Sequence, residues 1–171
     1  FMLSIKNIYL FLFVISMSAC VPIEEQGQTT AGGVQQTLRY EDHVYDPAIK
    51  TVQCFVATGV PDQVLEPAIT SLRQERPIIL EFDRLNAGPQ RLVAKIIHCN
   101  ADWSPSGLSE TQYLNEFNEF FLTDVLTSVN TRVPYVHYRF RVPRVKISGN
   151  YLLQVQDEVG KYLLTQRFMV Y

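Results

Sequence analysis

The stretch YVHYRFRV, residues 135–142, decides the fold class of this 171-residue chain. Its side chains alternate between apolar and polar or basic, and this period of two is typical of a β-strand with one buried and one displayed face. The set expected to point inward comprises Val136, Tyr138, Phe140 and Val142. The displayed set comprises Tyr135, His137, Arg139 and Arg141.

Further runs rich in β-branched and aromatic residues predict strands on both sides of this one. They are residues 52–57, 78–82, 92–99, 151–156 and 162–171. Turn residues separate them, and strands without alternating helices must bury their apolar faces against a second sheet. The sequence therefore predicts an all-β fold, an antiparallel immunoglobulin-like β-sandwich.

One segment departs from this pattern and predicts a short inserted helix. Ser109 and Gln112 have the spacing of a capping box at a helix N-terminus. Apolar residues then follow at helical intervals, which predicts about two or three turns with an apolar face toward the core. These residues are Tyr113, Leu114, Phe117, Phe120 and Phe121.

Residues 1–20 have the organisation of an export signal. Lys6 precedes the apolar run 8–15, and small residues lead to Cys20. The run is shorter than the roughly 20 residues that a membrane-spanning helix needs, which favours a secretory signal peptide. Its end resembles a bacterial lipobox, so we predict a lipoprotein-type signal peptide whose Cys20 is acylated. Ordinary cleavage that discards Cys20 is the alternative.

Residues 21–37 are polar and show no apolar periodicity, which predicts a flexible tether. As a random coil this segment would span roughly 20–25 Å. Residues 38–171 then form the β-sandwich domain.

The composition argues against several function classes. The chain has 15 Lys+Arg and 17 Asp+Glu, a formal net charge of −2, which is not the basic footprint of a nucleic-acid binder. His98, Cys99, Asp102 and His137 are the candidates for a metal site or a thiol nucleophile. Adjacent His98 and Cys99 would face opposite sides of a strand, and no CxxC, HxH or HExxH motif is present. We therefore predict no enzyme activity, no cofactor and no small-molecule substrate.

Cys54 and Cys99 both lie in apolar strands. An exported compartment would permit a disulfide between them, but buried free thiols that act as small apolar side chains are favoured.

Residues 125–156 contain no Asp or Glu, although the chain as a whole is acidic. The cations of this stretch are Arg132, Arg139, Arg141, Arg144 and Lys146. A partner with negative charge or exposed carbonyls can use them; alternatively they solvate one face and pair with Glu116, Glu119 or Asp124. Because arginine and tyrosine are favoured at interface centres, the displayed set of residues 135–142 is the predicted partner-binding site.

Four stretches, taken in order, resemble a known family. They are HCNADW at 98–103, SVNT at 128–131 leading to YVHY at 135–138, SGNYLL at 148–153 and RFMV at 167–170, with LEFDRL at 80–85 in support. They are similar to the N-terminal domain of the type IX secretion system plug protein, and the agreement runs from about residue 45 to residue 171.

The resemblance implies a periplasmic protein of Bacteroidota that binds the outer-membrane barrel of the type IX translocon and closes its pore. It implies no catalysis and no cofactor. Together with a lipidated Cys20 it implies an outer-membrane lipoprotein that faces the periplasm.

Most of the matched residues are expected to be scaffold. The Trp103 ring can anchor a loop, Asn130 and Asn150 suit turns in which their side chains bond local backbone, and Tyr138 is expected to point inward.

Two alternatives stay open from the sequence. Members of the family continue past the RFMV strand into a second large region, so the chain is either a fragment or a single-domain relative. The rival function is an envelope lipoprotein β-sandwich that binds another envelope protein, or glycan through sugars stacked on Trp103 and Tyr135.

Overall fold

The structure, a computed structural model, describes residues 36–60, 65–86 and 88–171. The predicted signal peptide, Cys20 and all but residues 36 and 37 of the predicted tether lie outside this described part. Within it the chain forms eleven strands and one short helix. In chain order they are β1 (His43–Val44), β2 (Ile49–Val56), β3 (Glu66–Pro67), β4 (Ile69–Thr70), β5 (Ile78–Leu85), β6 (Leu92–Cys99), α1 (Glu110–Tyr113), β7 (Phe120–Phe121), β8 (Asp124–Thr127), β9 (Tyr135–Arg141), β10 (Gly149–Asp157) and β11 (Tyr162–Val170).

The strands form two sheets. Sheet A has the order β1–β11–β10–β6–β7, and β4 also pairs with the end of β11. Sheet B has the order β3–β2–β5–β9–β8. The β4–β11 pair is parallel and the other described pairs are antiparallel. The predicted β-sandwich with one short helix is therefore confirmed.

The core lies between the two sheets and is built from the inward positions of each strand. In sheet B, Phe82 and Tyr138 are cross-strand partners whose rings stack at 5.1 Å. In sheet A, Tyr151 and Phe168 are cross-strand partners that stack at the same centroid distance. All four rings are almost completely buried, and such aromatic cross-strand pairs fix the register of a sheet as well as filling its core.

The sequence places the six longest strands to within three residues at each end, and it misses the short strands β1, β3, β4, β7 and β8. The run 92–99 coincides with β6, and Tyr138 points inward as expected. The run 78–82 extends to Leu85 in β5, because β9 pairs with β5 along its whole length and continues the ladder to the Leu85–Tyr135 pair.

The predicted helix of two or three turns is wrong in length, because α1 has only four residues. The capping box is present: the Ser109 N–H donates to Gln112 Oε1 at 2.8 Å. The chain becomes extended at Leu114, and Phe120 and Phe121 form β7 instead of a third turn. Phe117 is 76% exposed, so the apolar set is not one core-facing stripe.

The physical reason for the short helix is a competing partner, the edge of β6. Asn118 is buried; its side-chain oxygen accepts from the Ile96 N–H at 2.8 Å and its amide donates to the Ile96 carbonyl at 2.9 Å. These bonds imitate a strand pair and hold the chain extended beside β6. Among the described residues no helix has the length and apolarity needed to cross a bilayer.

The outer face of sheet A, away from the core, is also partly buried. Leu152 and Thr165 on this face are fully buried and Cys99 is nearly so. Residues 36–42, which we call the strap, lie over it: Thr165 Oγ1 donates to the Glu41 carbonyl at 2.7 Å, and the Gln36 side chain bonds the Tyr162 backbone through both its oxygen and its nitrogen. The strap therefore closes a face that the opposite sheet cannot reach.

Gly149 lies against the ring of His98, and this contact gives a testable prediction. A Cβ at position 149 would lie 2.4 Å from His98 Nε2, closer than any side chain tolerates. The His98 ring cannot swing away freely because it packs between Tyr151 and Tyr113. We expect Gly149→Ala to lower the free energy of unfolding by about 1–3 kcal/mol in urea denaturation.

Gly88→Ala is the matched control, since an added Cβ there meets nothing within 4 Å. It should change the stability by no more than about 0.5 kcal/mol. The cost of Gly149→Ala should shrink in a His98→Ala background, and an unchanged cost in that background would mean that the ring is not its cause.

Candidate partner-binding face

The predicted two faces of β9 are present in the structure. Val136 and Tyr138 are fully buried, and Phe140 and Val142 are nearly so. On the opposite side Tyr135 and His137 are half-buried, whereas Arg139 and Arg141 are exposed. The outer face of sheet B therefore displays the four residues that the sequence selected.

Acidic residues of β5 face two of these side chains, His137 and Arg139, across the ladder. His137 Nδ1 lies 2.8 Å from Asp83 Oδ1, and Arg139 Nε lies 3.1 Å from Glu81 Oε1. The alternative that the basic residues pair with Glu116, Glu119 or Asp124 is wrong for Arg139, because its partner is Glu81; Glu119 pairs with Lys95 instead. The Arg139–Glu81 pair is partly solvated and contributes little to stability.

Arg141 differs from its neighbours because its cross-strand partner is the apolar Ile79. It has no ion pair among the described residues. Arg141 is thus the uncompensated cation of this face.

A groove with a cavity volume of about 460 Å³ opens at the Arg141 end of the face. Its walls combine apolar and charged side chains. They include Ile79, Phe121, Asp124, Arg139, Phe140 and Arg141. Tyr135 and His137 lie further along β9 and do not line it. The structure therefore brings only the two arginines of the predicted site into one concave surface.

Phe121 is the groove residue that the sequence did not place at this face, whereas Asp124, named from the sequence as a possible partner of the arginines, is the cross-strand neighbour of Arg139. Phe121 was assigned to the helix, and it is in fact 45% exposed at the end of β7, with the Arg91 guanidinium 4.4 Å from its ring centroid. The β7–β8 corner carries Phe121 and Asp124 beside β9. No local pattern encodes that corner, because it follows from the pairing of β7 with one sheet and β8 with the other.

A second group of predicted residues gathers at a corner of sheet A. Trp103 has a φ of 68°, and its ring is covered by the Arg167 guanidinium at 4.4 Å. The same guanidinium donates from Nε to the Tyr40 carbonyl at 2.8 Å, and its Nη2 also bonds that oxygen. One face of the Trp103 ring is therefore occupied from within the chain, which leaves only the other face for a stacked sugar.

The other motif residues also hold the scaffold. Asn130 has a φ of 56°, consistent with its predicted turn. Asn150 corrects the prediction, because it lies in strand β10 and its amide donates to the distant Asn100 and Ala101 carbonyls at 3.1 and 3.4 Å. The Tyr138 hydroxyl accepts from the Gln90 N–H at 2.8 Å and donates to the Gln90 carbonyl at 3.3 Å.

The reactive side chains considered from the sequence are kept apart by the fold. His98 contacts the rings of Tyr113 and Tyr151, whereas adjacent Cys99 lies on the outer side of sheet A, and His137 belongs to sheet B. Asp102 accepts from the Ser104 hydroxyl and N–H, and these bonds lower the pKa of its carboxyl. Within the described ranges no three His, Cys, Asp or Glu residues are placed to hold a metal ion.

Cys54 and Cys99 are free thiols, as favoured from the sequence. Burial raises the pKa of Cys54 to about 12, and burial also raises the pKa of Cys99. Such thiols behave as small apolar side chains.

A comparison with protein families identifies the chain. The family model described as "Type 9 secretion system plug protein 1st domain" matches residues 49–171. The chain belongs to this family. Membership makes it a component of the type IX secretion system and associates it with the cell envelope. It also favours a structural component over a catalytic one.

A solved structure has a similar fold. The chain is similar to a hypothetical protein from Parabacteroides merdae ATCC 43184, with 31% sequence identity and a TM-score of 0.71. The match covers 78% of this chain and 34% of the other, so this plug-family chain spans about a third of the length of that relative. No curated protein matches the sequence.

The Arg167 contacts predict a stability effect. Arg167→Ala removes the bonds to the Tyr40 carbonyl and the cation–π contact with Trp103, which should lower the free energy of unfolding by about 1–3 kcal/mol. It should also speed tryptic cleavage after Arg39, because Arg39 lies in the strap that Arg167 holds.

Arg132→Ala is the control for both measurements. Arg132 is exposed and has no ion pair within the described part of the chain, so its loss should cost no more than about 0.5 kcal/mol. Equal urea midpoints and equal cleavage rates for the two variants would show that Arg167 does not fasten the strap.

The raised thiol pKa values predict slow alkylation. With a pKa near 12, roughly one Cys54 side chain in ten thousand is a thiolate at pH 8, and the fraction increases with pH. We expect iodoacetamide at pH 8 to leave Cys54 and Cys99 unmodified in the folded protein and to modify both in guanidinium chloride, as read by peptide mass spectrometry. An exposed Lys161→Cys variant sets the reference rate, and native Cys54 labelling at that rate would contradict the burial argument.

Proposed function

We propose that this chain is a non-catalytic stopper of the type IX translocon: it docks from the periplasm on the outer-membrane barrel and closes its pore. The observation that carries the proposal is the match of residues 49–171 to the first domain of the plug family. Closing a pore needs a rigid body with affinity for its rim and no chemistry, and a two-sheet sandwich provides such a body.

The outer face of sheet B is the proposed docking surface. It carries Tyr135, His137, Arg139 and Arg141 and ends in the groove beside Phe121. Aromatic and arginine side chains around a concave surface are the composition found at interface centres. The outer face of sheet A is less suited to this role, because the strap covers much of it.

A lipid anchor would explain how the stopper stays near its target. We propose that the signal peptide 1–20 is processed at Cys20, that Cys20 is acylated, and that residues 21–37 tether the domain to the outer membrane. The strap fixes the domain end of this tether, since Gln36 is bonded to Tyr162. A tether of roughly 20–25 Å raises the effective concentration of the domain at the barrel.

The reactive side chains support a structural role. Ser128 Oγ accepts from the Tyr135 N–H at 2.9 Å and from the Thr131 hydroxyl at 3.0 Å, which is the bonding of a turn residue. Cys54 is half-buried and packs against the core, and the His137 ring is bonded to Asp83.

Copurification tests the docking proposal. The full chain with an affinity tag, expressed in a Bacteroidota host and captured from detergent-solubilised membranes, should bring down the translocon barrel, identified by mass spectrometry. Arg141→Glu should reduce the recovered barrel at least about fivefold, because a desolvated charge of the wrong sign costs more than a surface pair gains.

Lys161→Glu is the matched control, with the same change in charge at an exposed position outside sheet B. It should leave the recovery unchanged. If the unaltered chain recovers no barrel and retains oligosaccharide instead, the stopper role is wrong and a glycan-binding lipoprotein replaces it. If both variants lose the barrel equally, the face of β9 is not the docking surface.

A further inference from the structure

A small crevice adjoins the groove of sheet B. Pro77 and Arg141 line both cavities, so the two open side by side. Three arginines, Arg76, Arg141 and Arg144, line the crevice, and no acidic residue does.

The cations of the crevice are largely uncompensated. Arg76 pairs with Glu66 at 3.0 Å, but Arg141 and Arg144 have no ion pair within the described ranges. Two unpaired guanidinium groups at one opening create a local field that attracts an anion.

The floor of the crevice is apolar and buried. It is formed by Ile78, Val142 and Phe168. An anion that binds there is partly removed from water, which strengthens its bonds to guanidinium groups. Thr70 and Gln74 add polar groups to the wall.

The size of the crevice limits what enters it. Its cavity volume is about 20 Å³, little more than the ~10–15 Å³ that one water needs. The oxygen end of a carboxylate can enter it, whereas a sugar ring or a nucleobase cannot. The groove next to it holds about 460 Å³ and has apolar walls at Ile79 and Phe140, which is room for neighbouring side chains of the same ligand.

We propose that the crevice binds a carboxylate side chain of an acidic peptide segment, and that the groove holds the residues that flank it. Arg141 and Arg144 grip the carboxylate, with bidentate geometry available to each planar guanidinium. The assignment of this segment to the translocon rests on the proposed function, but the peptide chemistry of the crevice does not.

The surroundings favour a peptide over an anionic bilayer. A bilayer binds flat surfaces with many lysines, whereas this opening is recessed and its cations are arginines, whose planar guanidinium groups match a carboxylate. The combination of one recessed cationic crevice with an apolar groove fits a ligand that alternates acidic and apolar side chains.

The test uses the full chain and defined probes. Fluorescein-labelled hexaglutamate should bind, measured by anisotropy at low ionic strength, and hexaglutamine should not. The double variant Arg141→Glu/Arg144→Glu should weaken hexaglutamate binding by at least about tenfold. Arg132→Glu is the control, because it makes the same substitution at another unpaired arginine of the same acid-free stretch. It should weaken binding by no more than about twofold per unit of charge changed. Arg141→Gln/Arg144→Gln removes the cations without adding acids and should also lose binding if its far-UV spectrum and melting temperature match those of the unaltered chain.

Three results would overturn the proposal. They are a failure of hexaglutamate to bind the unaltered chain, equally strong binding of hexaglutamine, and a loss of binding in Arg132→Glu as large as in the double variant. If phosphatidylglycerol vesicles bind through Arg141 and Arg144 while hexaglutamate does not, the ligand is a lipid headgroup and the peptide is wrong. If hexaglutamate binds but copurification recovers no barrel, the crevice is still a carboxylate-binding site, but the translocon is not its partner.

Discussion

Strands β10 and β11 are buried on both faces, and this constraint sets the arrangement of the elements around them. Toward the core, Tyr151 and Phe168 stack within the sandwich. On the other side Leu152 and Thr165 also have no exposure, so the opposite sheet supplies only one of the two covers that these strands need. The strap supplies the second cover, and Arg167 fastens it by binding a strap carbonyl while it shields Trp103.

Because β10 and β11 are buried on both faces, the outer faces of the two sheets differ in their access to solvent. Because sheet A is closed by the strap on much of its outer side, charged residues with access to solvent are concentrated on sheet B. There the ladder places Glu81 opposite Arg139 and Asp83 opposite His137, so each of these two basic side chains has an acidic partner. Arg141 faces Ile79 instead, so its charge has no acidic partner across the ladder. The uncompensated cation thus lies at the end of the face where the groove and the crevice meet.

The sequence predicted what depends on local periodicity. The alternation in YVHYRFRV fixed both faces of β9, and the capping box at Ser109 located the start of α1. It failed where a distant strand decides the outcome. Helical spacing continued past Tyr113, but the buried Asn118 bonds the edge of β6 and holds the chain extended. Asn150 reads as a turn residue and instead bridges to a corner far away in sequence.

The candidate site shows the same limit. Its residues on β9 were found from their own alternation, whereas Glu81 and Phe121 come to the face through strand pairing and through the β7–β8 corner. A single sequence carries no local signal for either. The matched family motifs fall into two groups. Trp103, Asn150 and Arg167 form one structural corner at sheet A, and the motif around Tyr138 provides the displayed face on sheet B.

The path of the strap determines the order in which its contacts would break under a pull at residue 36. From Gln36, which meets the first residue of β11, the chain runs over that strand to Arg167 and then returns along its edge as β1. Such a pull would load the hydrogen bonds of the Gln36 side chain first, those of the Tyr40 carbonyl next and the β1–β11 backbone ladder last. Contacts loaded in turn yield at a lower force than a ladder sheared at once, so a pull at residue 36 would detach the strap before it strained the sandwich.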